Sequence, residues 1–173
     1  MITAVGVTAT ADFFPDGHPG NGTGALVGYD PLAGNIMETA IAHSGQSMPA
    51  EYNNVGPPYY SETERTWATP QNWTVNGVDT LVLHVRGSPA NGAGQLYVAL
   101  DDSSGNSAVV NHPDAAAVTS NTWLEWKIPL SSFSKVTATK IKKMYIGVGD
   151  RNSPKAGGAG SLYIDDIRVI RSE

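Results

Sequence analysis

The chain has 173 residues, enough for a domain with its own core. Only 16% of them are charged and the net charge is −5, which excludes coiled coils, charged disordered chains and a general nucleic-acid footprint; 19 Gly and 11 Pro suit a β-rich domain with many turns. There is no cysteine, so disulfide frameworks, thiolate catalysis and Cys-ligated metal sites are also excluded.

The opening Met1-Ile2-Thr3-Ala4-Val5-Gly6-Val7 lacks the basic residues and apolar stretch of a secretion signal. If the parent protein is exported, the chain is expected to be an excised domain with its own Met. Strand-like runs bounded by turn residues follow: Ile2–Thr8, Ala25–Tyr29, Glu38–Ala42, Ser47–Asn53, Ser61–Trp67, Thr80–Arg86, Gln95–Asp101, Ala108–Asn111, Trp123–Leu130, Lys142–Val148 and Gly160–Ile170. Roughly ten short strands predict a sandwich or barrel. The helical signal is confined to one turn at Asp114–Val118, after Pro113. No linker divides the chain, so residues 1–173 are expected to form one all-β domain, and no apolar run reaches the ~20 residues of a membrane span. The glycine-rich loops Asp16–Gly24 and Gly149–Gly160 lack the Gly-Lys-Ser/Thr and following helix of a phosphate cradle, and are read as hairpin connections.

Period-2 alternation assigns faces. Met48, Ala50 and Tyr52; Leu81, Leu83 and Val85; Leu96, Val98 and Leu100; and Met144, Ile146 and Val148 are predicted to point inward. The opposite side chains are expected to share one outer face of Glu51, Asn53, His84, Arg86, Tyr97, Asp101 and Tyr145. Planar rings flanked by hydrogen-bonding groups suit a sugar, whose C–H face packs on the ring while the polar groups meet its hydroxyls. The same residues also fit the ordinary solvated side of an antiparallel sheet. Trp67, Trp73, Trp123 and Trp126 are read as core or end plugs, with Trp73, in a loop, left open.

A catalytic site is hard to assemble. None of His18, His43, His84 and His112 lies in a His-Glu-x-x-His motif, loop residues His18 and His112 are read as surface, and no Gly-x-Ser-x-Gly elbow is present. Glu51 and Asp101 share the predicted face and could act as a glycosidase pair, but any sheet with a few acids offers such pairs. The chain is therefore read as non-catalytic.

In Ser161-Leu162-Tyr163-Ile164-Asp165-Asp166-Ile167-Arg168-Val169-Ile170 the alternation slips at the two acids. The slip predicts a bulge that aims one carboxylate inward. A buried carboxylate needs a partner, and calcium is one; Arg168, a lysine or backbone N–H groups are the alternatives.

Several segments resemble a known family. His43-Ser44-Gly45-Gln46-Ser47-Met48-Pro49, Trp123 to Phe133 and Leu162 to Arg168 are similar to the turn, penultimate region and closing strand of β-jelly-roll carbohydrate-binding modules. Val27-Gly28-Tyr29-Asp30, Tyr60 to Trp67, Pro70 to Thr74 and Gly77 to Leu81 resemble extracellular bacterial modules found at the ends of large multidomain proteins. The resemblance implies a two-sheet antiparallel jelly roll, export from the cell and neighbouring domains. It also implies a structural calcium held by a first-strand acid, by backbone oxygens near the His-Ser-Gly turn and by an Asp of the closing pair, here Asp165 or Asp166. The first predicted strand has no acid, and Asp12-Phe13-Phe14 is only a distant echo of the usual Asp-Phe-Glu.

The resulting expectation is a non-catalytic module that binds a polysaccharide or oligosaccharide on a concave sheet. Tyr97 and Tyr145 would stack, and Glu51, His84, Arg86 and Asp101 would hydrogen-bond. A structural or adhesive module of a surface protein and, more weakly, a glycan-cleaving enzyme are the alternatives.

Overall fold

Alternation of apolar and polar residues, with Gly, Pro and Asn at the breaks, produces a chain of short strands. The computed structural model describes residues 37–172 in full and, before them, the backbone of three two-residue strands. In chain order the strands are β1 (Leu26–Val27), β2 (Tyr29–Asp30), β3 (Gly34–Asn35), β4 (Met48–Asn53), β5 (Ser61–Gln71), β6 (Thr80–Arg86), β7 (Leu96–Asp102), β8 (Ser107–Asn111), β9 (Leu124–Pro129), β10 (Ile141–Val148) and β11 (Ala159–Ile170). They form a five-stranded sheet ordered β1-β4-β11-β6-β9, a four-stranded sheet ordered β5-β10-β7-β8 and the small pair β2-β3. Every ladder among them is antiparallel. The expected all-β, two-sheet antiparallel sandwich of jelly-roll type is what forms.

The two inner faces interlock as alternation predicts. Leu81, Leu83 and Val85 of β6 and Leu162 and Ile164 of β11 meet Leu96, Val98 and Leu100 of β7 and Met144, Ile146 and Val148 of β10 in one buried cluster. Burying each of these side chains contributes roughly 1.5–3 kcal/mol before entropy is set against it. Trp67, Trp73 and Trp126 belong to this core, and Trp67 and Trp73 meet edge to face with centroids 5.7 Å apart. Trp123 is half-buried.

Several local expectations need correction. Glu38–Ala42 is not a strand: it holds one isolated bridge, Glu38 to Ser47, and the Glu38 carboxylate turns back onto the Ala40 and Ile41 N–H groups. The helical turn lies at Ala117–Thr119 and is three-residue 3-10 helix, with Asp114 Oδ1 accepting the Ala116 N–H at 2.8 Å. His112 is buried, with its ring edge-on to Trp126, rather than on the surface. The Gly149–Gly160 segment is not a hairpin connection, because it crosses from β10 in one sheet to β11 in the other. Its glycines permit tight loop packing: a Cβ on Gly158 would lie 2.4 Å from the Gly92 carbonyl carbon. The predicted strand Ile2–Thr8, the Asp16–Gly24 loop, His18 and Asp12-Phe13-Phe14 lie outside the described residues, as do Ala25 and Gly28 of the Ala25–Tyr29 run, whose other residues fall in β1 and β2.

Candidate functional site

The sheet topology divides the expected binding face in two. Glu51, Asn53, His84 and Arg86 stand on the outside of the five-stranded sheet, whereas Tyr97, Asp101 and Tyr145 stand on the outside of the four-stranded sheet. Alternation gives each strand its faces but not its neighbours, and the two halves belong to opposite surfaces of the sandwich. Glu51 and Asp101 therefore cannot flank one glycosidic bond.

On the four-stranded sheet the register aligns three cross-strand rows: Glu62, Gly147, Tyr97 and Asn111; Glu64, Tyr145, Ala99 and Val109; and Thr66, Lys143, Asp101 and Ser107. In the first row Tyr97 lies across Gly147 and donates its hydroxyl to Glu62 Oε2 at 2.6 Å. In the second, Tyr145 donates to Asp101 Oδ2 at 2.9 Å, and Lys143 donates to Glu64 Oε1 at 2.9 Å. The β10–β11 connection brings Arg151 over this face. Its guanidinium carbon lies 4.3 Å from the Tyr145 ring centroid, and its Nε is 3.5 Å from Glu62 Oε2.

Tyr97 and Tyr145 are only 1% and 5% exposed, so their rings are not open stacking platforms as the sequence suggests. Burial, and then the Glu62 carboxylate, push the Tyr97 hydroxyl far above its usual pKa; burial and Asp101 do the same to Tyr145. Burial works against ionisation of Glu64, but the Lys143 and Thr66 hydrogen bonds outweigh it and lower its pKa. Among the described residues, two buried atoms on this face lack partners: Asp101 Oδ1, an acceptor, and Arg151 Nη1, a donor. A groove of about 340 Å³ opens beside Asp101, between Pro70, Ser103, Lys142 and Lys143.

The outer face of the five-stranded sheet is built differently. Glu51 and Asn53 are exposed and Arg86 half-buried, while His84 is 7% exposed and faces Asp165 across the ladder. The bulge expected at the two acids is present, as a register shift between Asp165 and Arg168 with Asp166 at φ 50°. It returns Ile167 and Val169 to the core, but Asp165 is buried on the outer side. There Asp165 Oδ2 accepts the N–H groups of His43 and Ser44 at 2.8 and 3.0 Å, and Oδ1 accepts that of Asp166 at 2.7 Å. Asp166 accepts the Ser44 hydroxyl, and its Oδ2 is 2.6 Å from His43 Nδ1 and 3.9 Å from His84 Nδ1. The His43 and His84 rings stack at 3.8 Å and 16°, and Trp123 meets His43 edge-on at 5.8 Å. Burial, then His43 and Arg168, push the His84 pKa down, while burial of Asp166 is outweighed by Ser44 and His43, which lower its pKa.

No family model and no curated protein matches the chain. Solved structures do match in fold. The family 11 carbohydrate-binding module from Clostridium thermocellum, in complex with a β-1,3-1,4-mixed-linked tetrasaccharide, aligns at TM-score 0.57 and 14% identity over 96% of this chain and 98% of its own. A family 30 carbohydrate-binding module aligns at TM-score 0.57 and 13% identity over 80% of this chain and 83% of its own. An exo-β-agarase reaches TM-score 0.66 at 10% identity; 96% of this chain is covered, but it spans only 25% of the agarase. The fold is that of these modules.

The sandwich places functional groups that alternation alone did not reveal. Glu62 and Glu64 lie on the Ser61–Trp67 run, to which alternation assigns no face, and Arg151 lies in a loop read as a glycine-rich connection. His43 was visible in the His-Ser-Gly turn, but its approach to His84 depends on β11 pairing with β6. The calcium implied by the resemblance requires oxygen ligands. Asp165 and Asp166 do not fit it as arranged: Asp165 is committed to three backbone N–H groups, and Asp166 shares its carboxylate with Ser44 and an imidazole.

Proposed function

We propose that the chain is a non-catalytic carbohydrate-binding module that takes a polysaccharide or oligosaccharide on its four-stranded sheet. The observation that carries this reading is the pair of unpartnered buried atoms on that face, Asp101 Oδ1 and Arg151 Nη1. One accepts and one donates, which matches a sugar hydroxyl that does both. The groove beside Pro70 and Lys143, which Asp101 also lines, gives a saccharide chain room to lie on this side of the sheet. The shared fold supports the same reading, since the family 11 neighbour is in complex with a tetrasaccharide. Contacts are assigned to Asp101, Arg151, Lys143 and the edge of Tyr145. Glu51, His84 and Arg86 take no part, because they lie on the other sheet. A shallow open face buries little ligand, so modest affinity is expected. Secretion and attachment to further domains of a longer protein are part of this proposal.

The burial of Tyr97 and Tyr145 favours a second reading, a structural β-sandwich spacer with no ligand on this face. Calorimetry or affinity electrophoresis against soluble glycans decides between them. The panel includes mixed-linked β-1,3-1,4-glucan, β-1,2-glucan and agarose oligosaccharides. Binding that is lost in Asp101→Ala supports the module; silence across the panel favours the spacer.

A further inference from the structure

We propose that His43, His84 and Asp166 form a binding site for a divalent transition metal of the zinc class, on the outer face of the five-stranded sheet. One donor atom from each residue lies within 4.8 Å of the others. His84 is only 7% exposed, and its Nδ1 has no hydrogen-bond partner among the described residues although it lies 3.9 Å from the Asp166 carboxylate. An unpartnered imidazole nitrogen held beside a second imidazole and a carboxylate is a ligand set rather than a completed hydrogen-bond network. Two nitrogens and one oxygen suit zinc, copper or nickel, and argue against the oxygen-seeking calcium that the closing aspartates suggest from sequence.

The fold provides the scaffold. Asp165 pins the His43–Ser44 turn through backbone N–H groups, and the bulge at Asp166 brings that carboxylate to the Nδ1 edges of the two stacked rings. A tetrahedral zinc with bonds of ~2.0–2.1 Å spaces its ligand atoms about 3.4 Å apart. The Asp166 Oδ2 distances of 2.6 Å to His43 and 3.9 Å to His84 straddle that spacing. Coordination needs the stacked rings to splay so that both lone pairs converge. His43, with a side chain 38% exposed against 9% for His84, is the ring that tilts, and it leaves an entry path from solvent. Asp166 can offer Oδ2 to the metal while Oδ1 keeps the Ser44 hydroxyl as its outer partner. Arg168 directs its Nη1 to the Asp166 carbonyl, not to the carboxylate. Solvent fills the remaining coordination position.

The test uses the full chain stripped with chelator and titrated separately with Zn²⁺ and Ca²⁺, read by calorimetry and thermal melting, with Co²⁺ as a spectroscopic probe. The expected result is a rise in melting temperature with Zn²⁺ but not Ca²⁺, and visible Co²⁺ absorption of tetrahedral intensity. His43→Ala and Asp166→Asn should each lose more than ~100-fold in Zn²⁺ affinity, beyond what outer partners usually contribute. His43 is exposed, so that variant retains the fold even if His84→Ala does not. A melting curve unmoved by Zn²⁺, a shift with Ca²⁺ alone, or Zn²⁺ affinity unchanged in both His43→Ala and Asp166→Asn would overturn the site. Glycan binding on the opposite sheet is independent of every outcome.

Discussion

The ring of Tyr97 occupies the space that a side chain at Gly147 would need. A Cβ at that position would lie 2.4 Å from Tyr97 Cζ and 2.5 Å from its hydroxyl oxygen. Gly147 thus lets Tyr97 lie down on the sheet and reach Glu62 on the far side of β10. Alternation alone marks 147 as an outward position but gives no reason for glycine there.

Gly147→Ala should therefore lift Tyr97 off the sheet and break its hydrogen bond to Glu62. The expected cost is about 1–3 kcal/mol, in the range of overpacking. For a chain of this size that is a fall of roughly 2–12 °C in melting temperature. Near-UV circular dichroism should change as well, because the tyrosine loses its fixed surroundings. An unchanged spectrum and melting point would show that the ring has room to move aside.

Asp102 is the clearest source of acid sensitivity. Its Oδ1 accepts the Ser104 and Asn106 N–H groups at 2.8 and 3.1 Å, and its Oδ2 accepts Asn106 Nδ2 and the Thr137 N–H, both at 2.9 Å. The Asn106 side-chain hydrogen bond first, then those backbone donors, hold its carboxyl far below the usual range against the effect of burial. A depressed folded-state pKa stabilises the fold above the unfolded-state value of about 3.9, and that stabilisation fades as the pH falls toward the folded value. Asp102→Asn should therefore melt several degrees lower than wild type at pH 7, with the gap shrinking steadily below about pH 4. A gap that is constant from pH 7 to pH 2 would assign the effect to shape rather than charge.

Much of the fold can be read from the residues, and the reason is local. Leu83-His84-Val85-Arg86 alternates because Leu83 and Val85 face the core, so inward positions there follow from period 2. The slip at Asp165-Asp166 is legible for the same reason: a bulge leaves a phase error in the sequence. Strand order is not local. Nothing in the run containing His84 or the run containing Tyr97 tells which sheet it joins, so a face drawn through both was an average over two surfaces. Glu38–Ala42 misled in another way, because the Glu38 side chain takes backbone N–H groups that a strand would have given to a neighbour.

The three backbone N–H groups on Asp165 make a third stability prediction. Asp165→Ala would leave those donors of His43, Ser44 and Asp166 unmatched at the bulge, and Asp165 is itself buried. The expected loss is about 3 kcal/mol, since charged acceptors carry more than neutral ones. Asp165→Asn should lose less, because one carbonyl oxygen remains. Urea unfolding should show the midpoint falling in the order wild type, Asn, Ala, with the slope unchanged. Equal losses for Asn and Ala would mean that the carboxylate's charge, rather than its acceptor geometry, holds the turn.

Gly158 links loop packing to the proposed binding face. Its Cα sits against the Gly92 backbone, and the Gly158 N–H donates to the Ala93 carbonyl at 3.0 Å. A methyl group would meet backbone, which cannot rotate away, so Gly158→Ala should displace the connection that carries Arg151. The expected outcome is a destabilisation of about 1–3 kcal/mol together with weaker glycan binding, measured by melting and by affinity electrophoresis. Retained glycan affinity in a destabilised variant would detach Arg151 from ligand recognition.

Arg151 itself separates its two possible roles. Its guanidinium covers Tyr145 at 4.3 Å and reaches Glu62, while Nη1 has no partner. If Nη1 donates to a sugar, Arg151→Ala should weaken glycan binding by more than about tenfold, the effect of a hydrogen bond from a charged donor. The same change should uncover the Tyr145 ring and raise its reactivity toward solvent reagents. Arg151→Lys keeps a cation above the ring but loses the planar fork, so it should bind with intermediate affinity. The opposite result, tighter binding in Arg151→Ala, would make the arginine a cover over a stacking ring, and the saccharide would then be held by Tyr145 rather than by the guanidinium.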